Sequence, residues 1–152
     1  MKIITLWQPW ASFIAWGLKT IETREHGKFR ILCYQTIGIH AGKSWDKTWE
    51  EHAGKYLTEE QIYNTKQLKQ GFDERKESDV RGSIICTVNI YRVGWLLSKH
   101  SNEALIDCDL NRFGLFLNNL KIIEPVIPDK VKYKCHQGIW DYDGEIIYLL
   151  DL

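Results

Sequence analysis

The chain has 152 residues (17.9 kDa), 44% of them hydrophobic, with 20 basic and 20 acidic side chains. That size and apolar fraction suit one domain over 1–152 with its own core and no disulfide or metal staple. Zero formal charge excludes a glove of surplus cations for non-specific duplex binding. Seven Trp, seven Tyr and five Phe are a heavy aromatic load for this length, and such side chains either fill a core or stack on something flat.

Residues 2–6 (Lys-Ile-Ile-Thr-Leu) read as a short buried strand. Pro9 then opens an apolar run from Trp10 to Leu18 that predicts a helix of about two turns, with Gly17 near its stop. Its apolar positions cover more than one face, so it should be buried on most sides. Thr20 to Arg24 alternates, placing Thr20, Glu22 and Arg24 on one side of a strand. Phe29 to Ile39 reads as a second strand region running into His40-Ala41-Gly42-Lys43.

Residues 44–80 are polar and helical. Ser44 is a candidate cap for a helix through Trp45, Trp49 and His52, and Thr58-Glu59-Glu60-Gln61 forms a capping box for a helix to about Gln70. Trp45 and Trp49, four apart, then share a face as packing anchors. A charged loop is expected from Gly71 to Arg81. Strands follow at 83–93 and at Phe113–Ile123, ended by Pro125 and Pro128, with a closing segment from Gln137-Gly138-Ile139-Trp140. Strands with helices between them imply an α+β fold, and a small β-barrel is the most economical way of removing sheet edges.

The N-terminus lacks the apolar stretch and cleavage site of a secretion signal, and no apolar run reaches membrane-spanning length, so a cytoplasmic protein with no membrane partner is expected. Cys33, Cys86, Cys108 and Cys135 have no C-x-x-C spacing; they read as buried thiols, with no metal site and no cofactor. Charge is unevenly placed: residues 1–43 carry six basic and two acidic groups (net +4), 44–80 carry −3 and 81–152 carry −1. A neutral chain can therefore present one positive face.

The densest polar constellation lies between Gln8 and Lys43. Glu22 and Arg24 project from one strand face with Lys19 just before it, which makes either a salt-bridged strand face or a functional site with mutually perturbed protonation. These residues also carry a resemblance. Leu6-Trp7-Gln8-Pro9-Trp10-Ala11-Ser12, Gly17-Leu18-Lys19-Thr20-Ile21-Glu22-Thr23-Arg24 and Ile39-His40-Ala41-Gly42-Lys43 resemble the ASCH domain family. So, in family order, do Gly82-Ser83-Ile84-Ile85-Cys86-Thr87-Val88, Asn111-Arg112-Phe113-Gly114 and His136-Gln137-Gly138-Ile139-Trp140, with 44–80 as an insertion.

The resemblance implies a PUA-like small β-barrel with a helix across its open side and a cleft suited to RNA or a nucleobase. Some compact members are amidohydrolases acting on N4-acylcytidine, and RNA cleavage has been attributed to others. Lys19 matches the catalytic lysine of those hydrolases and Arg24 the arginine five positions on. Glu22 matches the acidic residue of the Q-P-W-A branch, where the acylcytidine hydrolases carry threonine; Glu103 stands in by position for their second carboxylate.

Candidate roles follow. Lys19 and Glu22 form an acid/base pair in which the carboxylate holds the lysine cationic. Gln8 reads a base edge, and Trp10 or Trp7 stacks on its face; Trp10 alternatively staples the helix to the barrel. His40 lines the cleft or packs beneath it, Lys43 meets phosphate or solvent, and Arg112 adds charge at the rim. Trp140 belongs to the core, while Gln137-Gly138 lets backbone approach a ligand. The expected partner is single-stranded RNA or a nucleoside-like small molecule. A hydrolase and a protein adaptor using the acidic insertion are the rival readings.

Overall fold

The structure, a computed structural model, describes residues 1–109 and 112–149, so Asn111 of the fifth motif lies outside them. Six strands form one mixed sheet: β1 (Lys2–Gln8), β2 (Ile21–Arg24), β3 (Thr36–Trp45), β4 (Ile84–Trp95), β5 (Phe113–Val126) and β6 (Ile139–Asp141), in the order β2-β5-β4-β3-β1-β6. β1 runs parallel to β3, with Lys2 opposite Ile37 and Leu6 opposite Ala41, and every other pairing is antiparallel. The long β4–β5 ribbon changes register three times, between Ile84/Cys86, Thr87/Asn89 and Ile90/Arg92. Such irregularities bend a strand and raise its twist, and the sheet curls into a half-barrel with β2 and β6 at its two ends.

Helix α1 (Trp10–Ala15) lies against β1 and β3. It is shorter than the apolar run suggests because Gly17, at φ +76°, turns the chain left-handed. The amides of Leu18 and Lys19 then both donate to the Phe13 carbonyl. The helix is buried on two sides. Ala11 and Ile14 join Ile4, Leu6, Ile39, Ile85 and Leu115 in the barrel interior, whereas Phe13 enters a second cluster with Trp45, Trp49, Phe72 and Leu105. That second cluster fastens the inserted helices to the barrel. They are α2 (Trp49–Ala53) and α3 (Glu59–Asp73), the latter capped as expected, with Thr58 Oγ1 accepting from the Gln61 amide and Gln61 Oε1 accepting from the Thr58 amide.

Three expectations are corrected. Residues Gly27–Leu32 form a 3-10 helix, not the start of a strand: Phe29 and Leu32, three apart, are buried while Ile31 faces solvent, and the His26 ring accepts from the Lys28 amide. The strand begins only at Thr36, after Tyr34 at φ +65°. Ser44 and Trp45 finish β3 rather than open a helix, so Trp45 and Trp49 join one cluster from a strand and a helix. Cys135 is exposed, not buried. A fourth short helix, α4 (Ser101–Ala104), packs on β2. Among the described residues no helix is long and apolar enough to cross a membrane, and no group of three or more metal-ligating side chains occurs.

Candidate functional site

A cleft of about 370 Å³ opens where the C-terminal half of β1, α1 and β2 meet the start of the insertion and the segment after α4. That volume lies in the range of small-molecule sites. Trp7, Trp10, Lys19, Glu22, Thr23, Arg24, Asp46, His52, Arg112 and Gln137 are on its walls. The structure thus brings together Trp10, Lys19, Glu22, Arg24, Arg112 and Gln137 from the sequence-level candidates.

Lys19 is the floor. The turn at Gly17 aims it inward, where it is 2% exposed, and Nζ donates to the Ala104 carbonyl at 2.5 Å. Glu22 Oε1 stands 3.8 Å away, and the Trp10 ring centroid 5.1 Å away. Burial lowers the lysine's pKa; the Glu22 charge opposes this, and the charges of Arg24 and Arg112 reinforce it. The net direction is downward, because removing the ammonium from water outweighs one carboxylate at 3.8 Å.

Glu22 is 6% exposed and fixed by accepting from the Thr23 amide at 2.8 Å, which leaves Oε2 3.8 Å from Arg24. The shared strand face of Glu22 and Arg24 is as the alternation predicts. The Arg24 guanidinium lies over the Phe29 ring at 4.4 Å, and its buried Nε has no hydrogen-bond partner among the described residues.

Trp10 packs edge-on against Phe13 and still lines the cleft, its indole N–H held at 2.8 Å from Asp46 Oδ2. Burial pushes the Asp46 carboxyl upward, but hydrogen bonds from Thr48 and Trp10 prevail and hold it below its ordinary value. Trp7 is different: 47% exposed, it stands at the rim of the cleft.

Gln8 is not in the cleft. It is 1% exposed, with Oε1 accepting from the Ser12 amide at 3.0 Å and Nε2 donating to Ser12 Oγ at 2.8 Å. Pro9, at the helix N-cap, makes no side-chain cap bond, so Gln8 supplies the acceptor from one residue earlier. His40 is buried on the far side of Thr5, its Nδ1 3.1 Å from Thr5 Oγ1 and its ring edge-on to Trp140. With Lys43 it lines a second hollow. Glu103 is exposed; only its backbone carbonyl contributes, accepting from the Thr20 amide. Sequence reasoning missed Asp46 and His52, which the insertion folds back onto Trp10, and the Ala104 carbonyl, for which a sequence carries no signal.

Neither a family model nor a curated protein matches the chain. Solved structures do. An ASCH protein from Zymomonas mobilis is 17% identical with a TM-score of 0.55, over 93% of this chain and 87% of that one. Two variants of the same protein, one with a serine-to-alanine and one with a tyrosine-to-phenylalanine change, are each 15% identical. Their TM-scores are 0.51 and 0.50, over 93% of this chain and 87% and 89% of theirs. At such identities the likeness is one of architecture, and with the half-barrel, the crossing helix and the cleft beside it, this chain has the ASCH-like fold.

Proposed function

We propose that the cleft binds a single nucleobase, presented by single-stranded RNA or by a free modified nucleoside. The observation that carries this reading is the half-exposed Trp7 at the rim of a hollow whose floor is the buried Lys19–Glu22 pair. A flat face for stacking above a fixed donor and a fixed acceptor is how unpaired bases are held. Three cations against two carboxylates leave the wall modestly positive, enough for one phosphate and too little for a duplex.

The test is a tryptophan-fluorescence titration with N4-acetylcytidine and with a short single-stranded oligoribonucleotide. Stacking on an aromatic side chain contributes about 1–3 kcal/mol per base, so Trp7→Ala should weaken binding about 5- to 150-fold with unchanged melting temperature. Failure of both ligands to bind at millimolar concentration, or an unaffected Trp7→Ala protein, overturns the proposal.

A second reading rests on one observation, the burial that lowers the Lys19 pKa beside a carboxylate. Such a lysine can act as base or nucleophile, with Glu22 as its proton partner, on an N-acyl nucleoside or an RNA phosphodiester. Release of acetate from N4-acetylcytidine, or shortening of the oligoribonucleotide, lost in Lys19→Met would establish it. Binding without turnover would refute it.

A further inference from the structure

The second hollow, of about 840 Å³, lies across Thr5 from the first. It is built from the end of β3, the turn after α3 and the stretch between β5 and β6. Lys43, Arg75, Lys130 and Lys134 line it, with no carboxylate among its lining residues. None of these four makes an ion pair with a carboxylate among the described residues. Neighbouring acidic groups are already partnered: Glu74, beside Arg75, pairs with Lys76 at 3.1 Å, and Asp129 Oδ1 accepts from the Val131 amide. Arg81, which also lines the hollow, is paired with Asp79 at 2.5 Å. A net charge of −3 over 44–80 conceals this, because Arg75 from that stretch lines the hollow while none of its carboxylates does.

The cations are also crowded. Lys43 and Lys130 lie close enough that the second ammonium lowers the pKa of the first, aided by slight desolvation and by Arg75. Like charges set side by side without a counter-charge favour a bound anion. Thr5 and Gln137 line both hollows, so a chain leaving the first can enter the second past Gln137 without crossing the barrel.

We infer that the second hollow is a phosphate-chain subsite, taking the consecutive phosphates of the nucleotide or strand whose base is held in the first cleft. The inference rests on the nucleobase reading of that cleft, and it adds contacts for phosphates beyond the one that the modestly positive first cleft can hold. Two sources offer this chemistry: the backbone of a short single strand and the polyphosphate of a mononucleotide.

The experiment compares wild type with the double variant K43Q/K130Q, both positions being exposed. Four probes are titrated at several salt concentrations: uridine, UTP, a uridine hexanucleotide and inorganic tripolyphosphate. Each phosphate contact on a single strand contributes about 0.7 to the slope of log affinity against log salt. The hexanucleotide slope should therefore fall by about 1.4 in the double variant, with affinity down about tenfold and uridine binding unchanged. If UTP shows the loss and the hexanucleotide does not, the phosphates are those of a mononucleotide; the converse assigns a strand backbone. Tripolyphosphate binding that the double variant loses, with no uridine binding in either protein, keeps the anion site and sinks the nucleobase reading. Equal slopes and affinities for every phosphate-bearing probe in the two proteins overturn the subsite.

Discussion

Gln8 lies in the motif that carries the family resemblance, yet its amide faces Ser12 and not the cleft. Gln8→Met keeps most of the side-chain volume and removes both bonds. Losing the helix cap costs about 1 kcal/mol, and losing the donor to Ser12 Oγ about 1 kcal/mol more. Gln8→Ala adds the removal of about two buried methylene-sized groups, roughly 1.5 kcal/mol. At about 2–4 °C per kcal/mol for a chain of this size, the melting temperature should fall about 4–8 °C for Met and 7–14 °C for Ala. The assay is thermal unfolding by circular dichroism, paired with the N4-acetylcytidine titration well below the transition. Both variants should melt early and, once folded, bind like wild type. Unchanged melting with weakened binding would show that the amide reads the ligand, refuting its assignment as a cap.

Gly114 tests the packing behind the cleft. A Cβ there would stand 2.4 Å from Leu96 Cδ2 and 3.2 Å from Ile21 Cγ2, so Gly114→Ala should destabilise by about 1–3 kcal/mol; an unshifted urea midpoint would contradict this. The thiols should separate by reactivity: burial pushes Cys86 up to about 12, whereas Cys135 is exposed, so mass spectrometry after maleimide treatment should find Cys135 labelled and Cys86 unmodified until the protein unfolds. For Asp46, a folded carboxyl below its ordinary value means the unfolded chain binds the proton more readily, so its stabilisation is complete above the ordinary value and is lost as pH falls through the lowered one. The stability gap between wild type and Asp46→Asn should accordingly narrow in urea melts taken from about pH 5 to pH 2; a gap that widens in acid would reverse the sign.

Local periodicity made much of this fold legible. The alternation at Thr20–Arg24 placed Glu22 and Arg24 on one face, where they stand 3.8 Å apart, and the Thr58–Gln61 box marked the start of α3. What stayed hidden was decided by distant partners. Phe29 and Ile31 are good strand formers, yet Phe29 and Leu32 are buried in one cluster while Ile31 faces solvent, a pattern of a three-residue period and not of strand alternation. Trp45 and Trp49 look like helical neighbours because spacing cannot tell a helix face from a corner whose two arms enter one cluster, Trp45 against Phe72 and Trp49 against Phe13. The floor of the cleft was legible as residue types. Its wall was not: Asp46 and His52 arrive through the insertion, and Gln8 was misassigned because a glutamine before a proline-led helix looks free until its amide is seen to serve as the cap.

The bond from Lys19 to the Ala104 carbonyl spans 85 positions of chain, and the neighbouring Thr20 amide is tied to Glu103 in the same way. During synthesis the lysine therefore leaves the ribosome long before the backbone that will enclose it. Throughout that interval it is a solvated amine. Its burial is conferred late, so the floor of the cleft is complete only when the segment around Ala104 has joined the barrel.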